Sequence, residues 1–194
     1  PDYLTNVSAT VSDLARSSNQ VNQRSGVSVR LSVSNYEALS ANALRRGLRS
    51  GETSIVARVD DLGALAASSM GKIEIESIEE GRDGVIMESL MKGAVLTVFK
   101  DVVPPEQTRA VVDAFEAGAV AHTGESMTSA ELAAVAEQVD ALQTPVTILT
   151  GGDGSPAAVA AAVEFSLAGL PLSTPRPYPH LTRPSNRKLQ LTVV

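Results

Sequence analysis

Apolar side chains recur every three or four residues along most of the chain, which is the spacing of amphipathic helices. The first stripe covers 4–14, and the polar stretch 17–25 interrupts it. A second stripe follows Ser28, a residue type that caps helix N-termini, and ends before Gly51, a residue type common at helix C-termini. The pattern therefore predicts two helices near the N-terminus, the second over 29–49.

The rest of the chain predicts further helices separated by short breaks. Two acids, Asp60-Asp61, favour a helix N-terminus near Val59 because carboxylates complement the helix dipole. A strongly apolar stretch, 85–103, reads as one long helix that Pro104-Pro105 ends. Three more helices are predicted over 105–118, over 132–142 behind a capping box at Thr128–Glu131, and from Pro156 to about Leu167 with Gly169 beyond it.

Strand signals are few. Charged and apolar residues alternate over Lys72–Glu76, Pro145–Leu149 is β-branched, and Gly81–Gly84 is a turn signal between helices. The sequence thus predicts a mainly α fold, a helical bundle with at most one or two short strands.

The prolines suggest how the chain is divided. Five of the ten lie between Pro171 and Pro184, among Ser, Thr and Arg. Such a segment cannot bury enough apolar surface to fold alone. We predict a helical domain over 1–103, a helical extension over 104–170 and a disordered Pro-rich tail over 171–194.

Composition excludes several classes of function. Aromatic residues make up 3% of the chain and Trp is absent, so the core must be built from Ala, Val, Leu and Ile. A net charge of −6 argues against nucleic-acid binding, which needs a basic surface. The absence of Cys excludes disulfides and thiolate chemistry and fits a reducing cytosol. No run approaches the roughly 18 apolar residues of a membrane span, so we expect a cytoplasmic protein.

Most candidate chemical groups have an ordinary structural interpretation. The loop Gly151–Ser155 lacks the ending of a phosphate-binding loop and reads as a turn into a helix cap. The acidic run Glu74–Glu80 lacks the spacing of a calcium loop and reads as a solvated edge. His122 and His180 lack partners at metal-site spacing, so no metal site is predicted.

Arg30 is the exception, because it stands in the first turn of a predicted helix, where exposed N–H groups attract anions. It is either a solvated side chain or a guanidinium aimed at a phosphate, whose geometry suits arginine. The later cluster Arg45, Arg46 and Arg49 complements the negative end of the same helix, although a partner contact is an alternative.

The stretch Asn22–Glu37, followed by Ala41–Arg46, resembles the C-terminal part of AAA+ ATPases of the magnesium-chelatase and MoxR-like clade. In that clade a helical lid follows the nucleotide-binding domain, and a Ser-x-Arg sequence opening a helix carries the sensor 2 arginine. Ser28-Val29-Arg30 matches that sequence. The resemblance is most specific over 1–100, and 101–170 is similar to the helical extension of an actinobacterial-type subgroup.

The resemblance implies that Arg30 contacts the terminal phosphate of ATP, held with Mg²⁺ by a P-loop domain. Walker A and Walker B sequences are missing and would lie N-terminal to Pro1. The implied partners are that domain, neighbouring subunits of a ring, and a protein with a von Willebrand-type domain. The chain alone is expected neither to bind the cofactor nor to hydrolyse ATP.

Two alternatives to the ATPase lid remain. The chain could be a non-enzymatic helical interaction module, which an exposed apolar patch on the helix 85–103 would favour. It could also be a small acid–base enzyme, which requires a pocket that joins Glu74–Glu80 with His122.

Overall fold

The computed structural model describes residues 1–22, 27–73, 82–124 and 126–173, together with the backbone of 189–190. Within these ranges the chain is mainly helical, which confirms the predicted fold class. The helices are α1 (Asp2–Ser17), α2 (Val29–Ser50), α3 (Ala64–Ser69), α4 (Arg82–Val102), α5 (Pro105–Glu116), α6 (Ser129–Gln138), α7 (Gln143–Thr150) and α8 (Pro156–Ser173).

Short 3-10 helices and strands complete the described secondary structure. One 3-10 helix, Val59–Gly63, leads into α3, and another, Asp140–Leu142, leads into α7. Two strands of two residues each, β1 (His122–Thr123) and β2 (Leu189–Gln190), pair antiparallel.

Helix ends follow the predicted capping chemistry in two places. The Thr128 hydroxyl accepts a hydrogen bond from the Glu131 N–H at 3.3 Å, and the Glu131 carboxylate accepts one from the Thr128 N–H at 2.7 Å. This is the capping box expected before α6. Gly51 ends α2 in the left-handed conformation, with φ of 69°. Ser28 occupies the N-cap position of α2, but its side chain makes no capping hydrogen bond.

The strand predicted for Pro145–Leu149 is wrong, because these residues lie inside α7. Their buried side chains, Pro145, Val146 and Leu149, share one helical face that packs towards α8. Pro145 stands in the first turn, where its missing N–H is not needed. Burial of this face therefore outweighs the strand preference of β-branched residues.

Other predictions on loops and the tail are settled only where the structure describes them. The turn signal at Gly81–Gly84 is wrong from residue 82 onward, because α4 begins there. Gly81, most of the Lys72–Glu76 segment and the tail residues 174–188 and 191–194 lie outside the described residues. The division at residue 103 stays a prediction.

Helix α8 lies at the centre of the molecule and packs against α4, α6 and α7. It is buried around most of its circumference, with four alanines among its buried residues: Ala157, Ala160, Ala161 and Ala162. Helix α1 packs on α4, and its Tyr3 ring lies 4.6 Å from the Phe165 ring of α8. Small side chains thus let three helices approach one central helix closely.

Among the described residues α8 is also the one helix long and apolar enough to cross a membrane. Sixty-one per cent of it is buried within the protein, however. The central helix of a folded domain has the same composition, because it is apolar all round.

The C-terminal end of α8 differs from the prediction, because the helix continues past Gly169 to Ser173 and includes Pro171. An ideal Cβ on Gly169 would overlap the ring of Phe99 on α4. Gly169 is therefore a contact point between two helices, and it does not end the helix.

Replacing Gly169 with alanine should destabilise the protein by about 2–3 kcal/mol, because the added methyl overlaps the Phe99 ring. Gly84→Ala is the matched control, since Gly84 is also helical and an added Cβ meets nothing within 4 Å. The control should be neutral or gain up to about 1 kcal/mol from helix propensity. Urea unfolding measures both, and equal effects would show that the helix contact is not tight.

Candidate functional site

Arg30 lies where the sequence predicted it, in the first turn of α2, and is exposed. That turn carries no acidic residue. Within the described ranges no hydrogen bond or ion pair engages the Arg30 side chain. The guanidinium is therefore available to an anion supplied from outside these residues.

An apolar stripe runs along α2 beside Arg30. Val29 is 73% exposed and Leu48, near the far end of the helix, is 68% exposed. Three further members lie between them at helical spacing: Val33, Tyr36 and Leu44. The opposite side of α2 packs inward through Leu31, Leu39 and Ala43. Helix α2 thus has one apolar face in the core and a second one in solvent.

The helix 85–103 does not carry the patch that the interaction-module hypothesis favoured. Its long apolar side chains Leu90, Val98 and Phe99 are buried in the core. Among the exposed large hydrophobic residues, α4 contributes Val85. The exposed apolar surface of the described residues is concentrated on α2.

Arg46 corrects the interpretation of the basic cluster on α2. Arg45 and Arg49 are exposed, as expected of side chains that complement the helix dipole. Arg46 is 5% exposed and binds Asp61, its Nη2 lying 3.0 Å from Oδ2. Its Nη2 also donates to the Val56 carbonyl at 2.7 Å. This arginine is a buried structural group that anchors the 52–61 loop to α2.

Asp61 is the acceptor at the centre of this anchor. Its Oδ1 accepts a hydrogen bond from the Asn42 side-chain amide at 3.0 Å. Its Oδ2 accepts one from the Arg58 backbone N–H at 2.8 Å, which caps the 3-10 helix Val59–Gly63. The carboxylate is 1% exposed, so these donors take the place of water.

Glu52 and Arg58 connect this loop to α6. The Glu52 Oε1 accepts a hydrogen bond from the Ser129 N–H at 2.6 Å, and its Oε2 lies 3.4 Å from Arg46 Nη1. The Arg58 Nη1 donates to the Met127 carbonyl at 3.0 Å. Both contacts hold the chain just before and at the start of α6, where backbone groups lack helical partners.

Glu164 is a fifth charged residue beside Arg46, Asp61, Glu52 and Arg58, and it lies in the otherwise apolar α8. It is 8% exposed, and its Oε1 lies 3.6 Å from Arg58 Nη1. Burial raises the pKa of Glu164 to about 7, although Arg58 and Arg46 act in the opposite direction. Burial also lowers the pKa of Arg58, against the attraction of Glu164. Desolvation dominates at both partners, which is the usual outcome for a buried pair.

We call Arg46, Glu52, Arg58, Asp61 and Glu164 the buried ion cluster. It joins α2, the 52–61 loop, α6 and α8, which are distant in sequence. It lies in the protein interior, whereas Arg30 lies exposed at the far end of α2, so the two are separate features of the same helix.

The remaining candidates keep their ordinary interpretations where the structure describes them. The loop before α8 is a turn and cap: Gly151 and Gly152 have positive φ, and Asp153 accepts from the Ser155 N–H at 2.8 Å. His122 is exposed in β1. The acidic run Glu74–Glu80 and His180 lie outside the described residues.

The acid–base hypothesis stays a prediction, because the Glu74–Glu80 carboxylates that it requires lie outside the described residues. A groove of about 550 Å³ lies between the end of α4 and α5, and its lining combines apolar residues with charged ones of both signs: Phe99, Val103, Val112, Lys100, Arg109, Asp113 and Glu116. His122 does not line it. Within the described ranges no three His, Asp or Glu side chains converge as metal ligands would.

No protein-family model matches the chain, and no curated protein or solved structure matches it either.

Sequence reasoning missed the buried ion cluster because its members are scattered over 119 positions between Arg46 and Glu164, counted inclusively. One local signal was available. Glu164 is the one charged residue in an apolar stretch from Ala157 to Leu170, and such residues are seldom buried unless paired. The sequence does not reveal which arginine pairs with it.

Removing the charge of Asp61 should destabilise the protein by about 3–5 kcal/mol, because Arg46 would then be buried without its main partner. Asp61→Asn keeps the shape and isolates the charge. Asp13→Asn is the matched control, since Asp13 also pairs with an arginine but its side chain is 71% exposed. The control should change the free energy of unfolding by less than about 1 kcal/mol. Comparable losses in urea unfolding would contradict the assigned role.

Stability should fall between pH 4.5 and about 7 through Glu164. Its pKa is raised from 4.5 in the unfolded chain to about 7 in the fold, so the folded state binds the proton more tightly. The contribution is complete below pH 4.5 and is lost as pH rises through 7, by roughly 3 kcal/mol. Glu164→Gln should remove this fall, and Glu137→Gln, at an exposed position, should not. Parallel pH profiles of wild type and Glu164→Gln would refute the assignment.

Proposed function

We propose that the chain is the lid and helical extension of a magnesium-chelatase-like AAA+ ATPase, in which Arg30 acts as the sensor 2 arginine. The observation that carries this proposal is the exposed Arg30 at the N-terminal end of α2, unpaired among the described residues. The Ser28-Val29-Arg30 match supplies the family context. The mainly helical fold is compatible with a lid.

The second supporting observation is the apolar stripe of α2. A lid must contact the nucleotide-binding domain, and an exposed stripe that begins beside the phosphate-seeking arginine suits that contact. Val29 is the first residue of α2 and adjoins Arg30 directly. The stripe and the guanidinium would then meet the P-loop domain together.

The mechanism follows from the charge of the ligand. A guanidinium that contacts the γ-phosphate has its strongest interaction before hydrolysis, so the position of α2 depends on the nucleotide. ATP and Mg²⁺ would be held by the P-loop domain, and this chain would supply the positive charge of Arg30 and the helix α2 that moves with it. The movement of α2 would be transmitted to neighbouring subunits of the ring and to a von Willebrand-type partner protein. The assembly would act in the cytoplasm.

In the ATPase that carries this segment, Arg30→Ala should lower kcat by roughly 10²-fold, the typical loss when one donor to developing charge is removed. Its melting temperature should be unchanged, because the side chain is exposed. Arg49→Ala, also exposed on α2, is the matched control and should retain turnover. The measurement is the rate of ATP hydrolysis at saturating nucleotide. Full turnover in Arg30→Ala would rule out the sensor role.

A non-enzymatic interaction module is the second candidate, favoured by the same exposed stripe. The two candidates differ in what loss of the stripe does. The double variant Val33→Ser/Leu48→Ser should impair ATP hydrolysis if the stripe meets the P-loop domain. Under the module hypothesis the chain has no part in ATP hydrolysis, and the double variant loses binding of the partner protein irrespective of nucleotide.

A further inference from the structure

The buried ion cluster contains one more carboxylate than guanidinium groups. Asp61 and Glu52 are well supplied with donors: Asp61 from Arg46, Asn42 and a backbone N–H, Glu52 from Arg46 and the Ser129 N–H. Glu164 has fewer donors, because the hydrogen bond that it accepts comes from the Val59 backbone N–H alone. Its Oε2 is buried without a hydrogen-bond partner, and the 3.6 Å between its Oε1 and Arg58 Nη1 is too long for a hydrogen bond.

Arg58 has donors to spare in the same place. Its Nη1 donates to the Met127 carbonyl, whereas its buried Nε and Nη2 have no hydrogen-bond partner. Its Nη2 lies 4.0 Å from Glu52. The guanidinium thus stands between two carboxylates while a single hydrogen bond holds it, and that bond goes to a neutral backbone acceptor.

We propose that Arg58 is a proton-operated switch: it holds the chain before α6 through the Met127 carbonyl while Glu164 is protonated, and turns to Glu164 when that carboxyl ionises. The turn exchanges a neutral acceptor for a charged one, which forms a hydrogen bond about twice as strong. The nitrogen that pairs with Glu164 is Nη1, the same one that donates to the Met127 carbonyl, so the turn leaves that carbonyl without its donor and loosens the start of α6.

The surroundings of Glu164 leave Arg58 as its main partner. From α2 and the 52–61 loop it faces Arg46, Arg58, Asp61 and the Val59 backbone N–H, and from α1 it faces Tyr3, whose hydroxyl is buried without a partner. Helix α7 carries no charged residue, the acids of α6 are exposed, and so are the charged side chains that the structure describes on α4. The pKa of about 7 places the switch in the neutral range.

Nuclear magnetic resonance of the isolated chain tests the switch directly. The carboxyl ¹³C signal of Glu164 should titrate near neutral pH, and the amide signals of Thr128 and Ser129 should shift with the same midpoint. Hydrogen exchange at the Leu132 amide, corrected for its intrinsic pH dependence, should be roughly tenfold faster at pH 8 than at pH 6 because local opening becomes easier. All samples carry His122→Gln and His180→Gln, so that no imidazole contributes to the pH response.

The controls separate the switch from a merely buried acid. Glu164→Gln should abolish the pH response at Thr128 and Leu132, whereas Glu137→Gln on the exposed side of α6 should leave it intact. A Glu164 titration without any response before α6 would overturn the proposal, as would an unchanged response in Glu164→Gln. The carboxyl titration in the histidine-free background leaves Glu164 itself unchanged, so a Glu164 that ionises at its ordinary pKa also refutes the proposal.

Discussion

The burial of five ionisable side chains in one cluster is the constraint on which the rest of the fold depends. Each group has lost its hydration, so each must obtain its stabilisation from the others or from backbone atoms. Asp61 achieves this fully, with donors from α2 and from its own loop. The loop 52–61 consequently has one position relative to α2, α6 and α8, and those helices are held in a fixed arrangement around it.

Much of the helical fold could be predicted from the sequence because its cause is local. The capping box at Thr128–Glu131 and the left-handed Gly51 are decided by residues within a few positions of each other. Pro145–Leu149 was mispredicted because the strand preference of β-branched residues depends on what their side chains pack against. Here they pack against α8, and the segment is a helix. Gly169 was mispredicted because its reason is the Phe99 ring, which lies 70 positions earlier in the chain.

Arg30 and the buried ion cluster also differ in whether the local sequence determines them. Arg30 could be identified from sequence because its position at a helix start is a local property, and the structure leaves it exposed there. Arg46 has the same chemistry on the same helix, yet its neighbours are Asp61 and Glu52, which only folding brings close. The number and type of arginines on α2 do not distinguish a solvent-facing charge from a buried one. What distinguishes them is the side of the helix on which each arginine lies, because one side faces the core and the other faces solvent.

Helix α2 therefore combines two environments on one rigid element. Its inner face is fixed by the core and by Arg46, and its outer face presents hydrophobic residues and Arg30 to solvent. No glycine or proline interrupts the helix between Arg30 and Arg46. A force applied at Arg30 is therefore transmitted to Arg46 without bending the helix.

The central position of α8 bears on how the chain is made. Tyr3 stacks on Phe165, and Arg58 faces Glu164, so residues near the beginning complete their contacts with a helix that is translated last among those described. At about 5–20 residues per second, the Arg58 side chain waits several seconds on the ribosome before its α8 partner exists. Until α8 emerges, α4, α6 and α7 expose the surface that α8 later covers, and a chaperone that binds apolar helices can bind there.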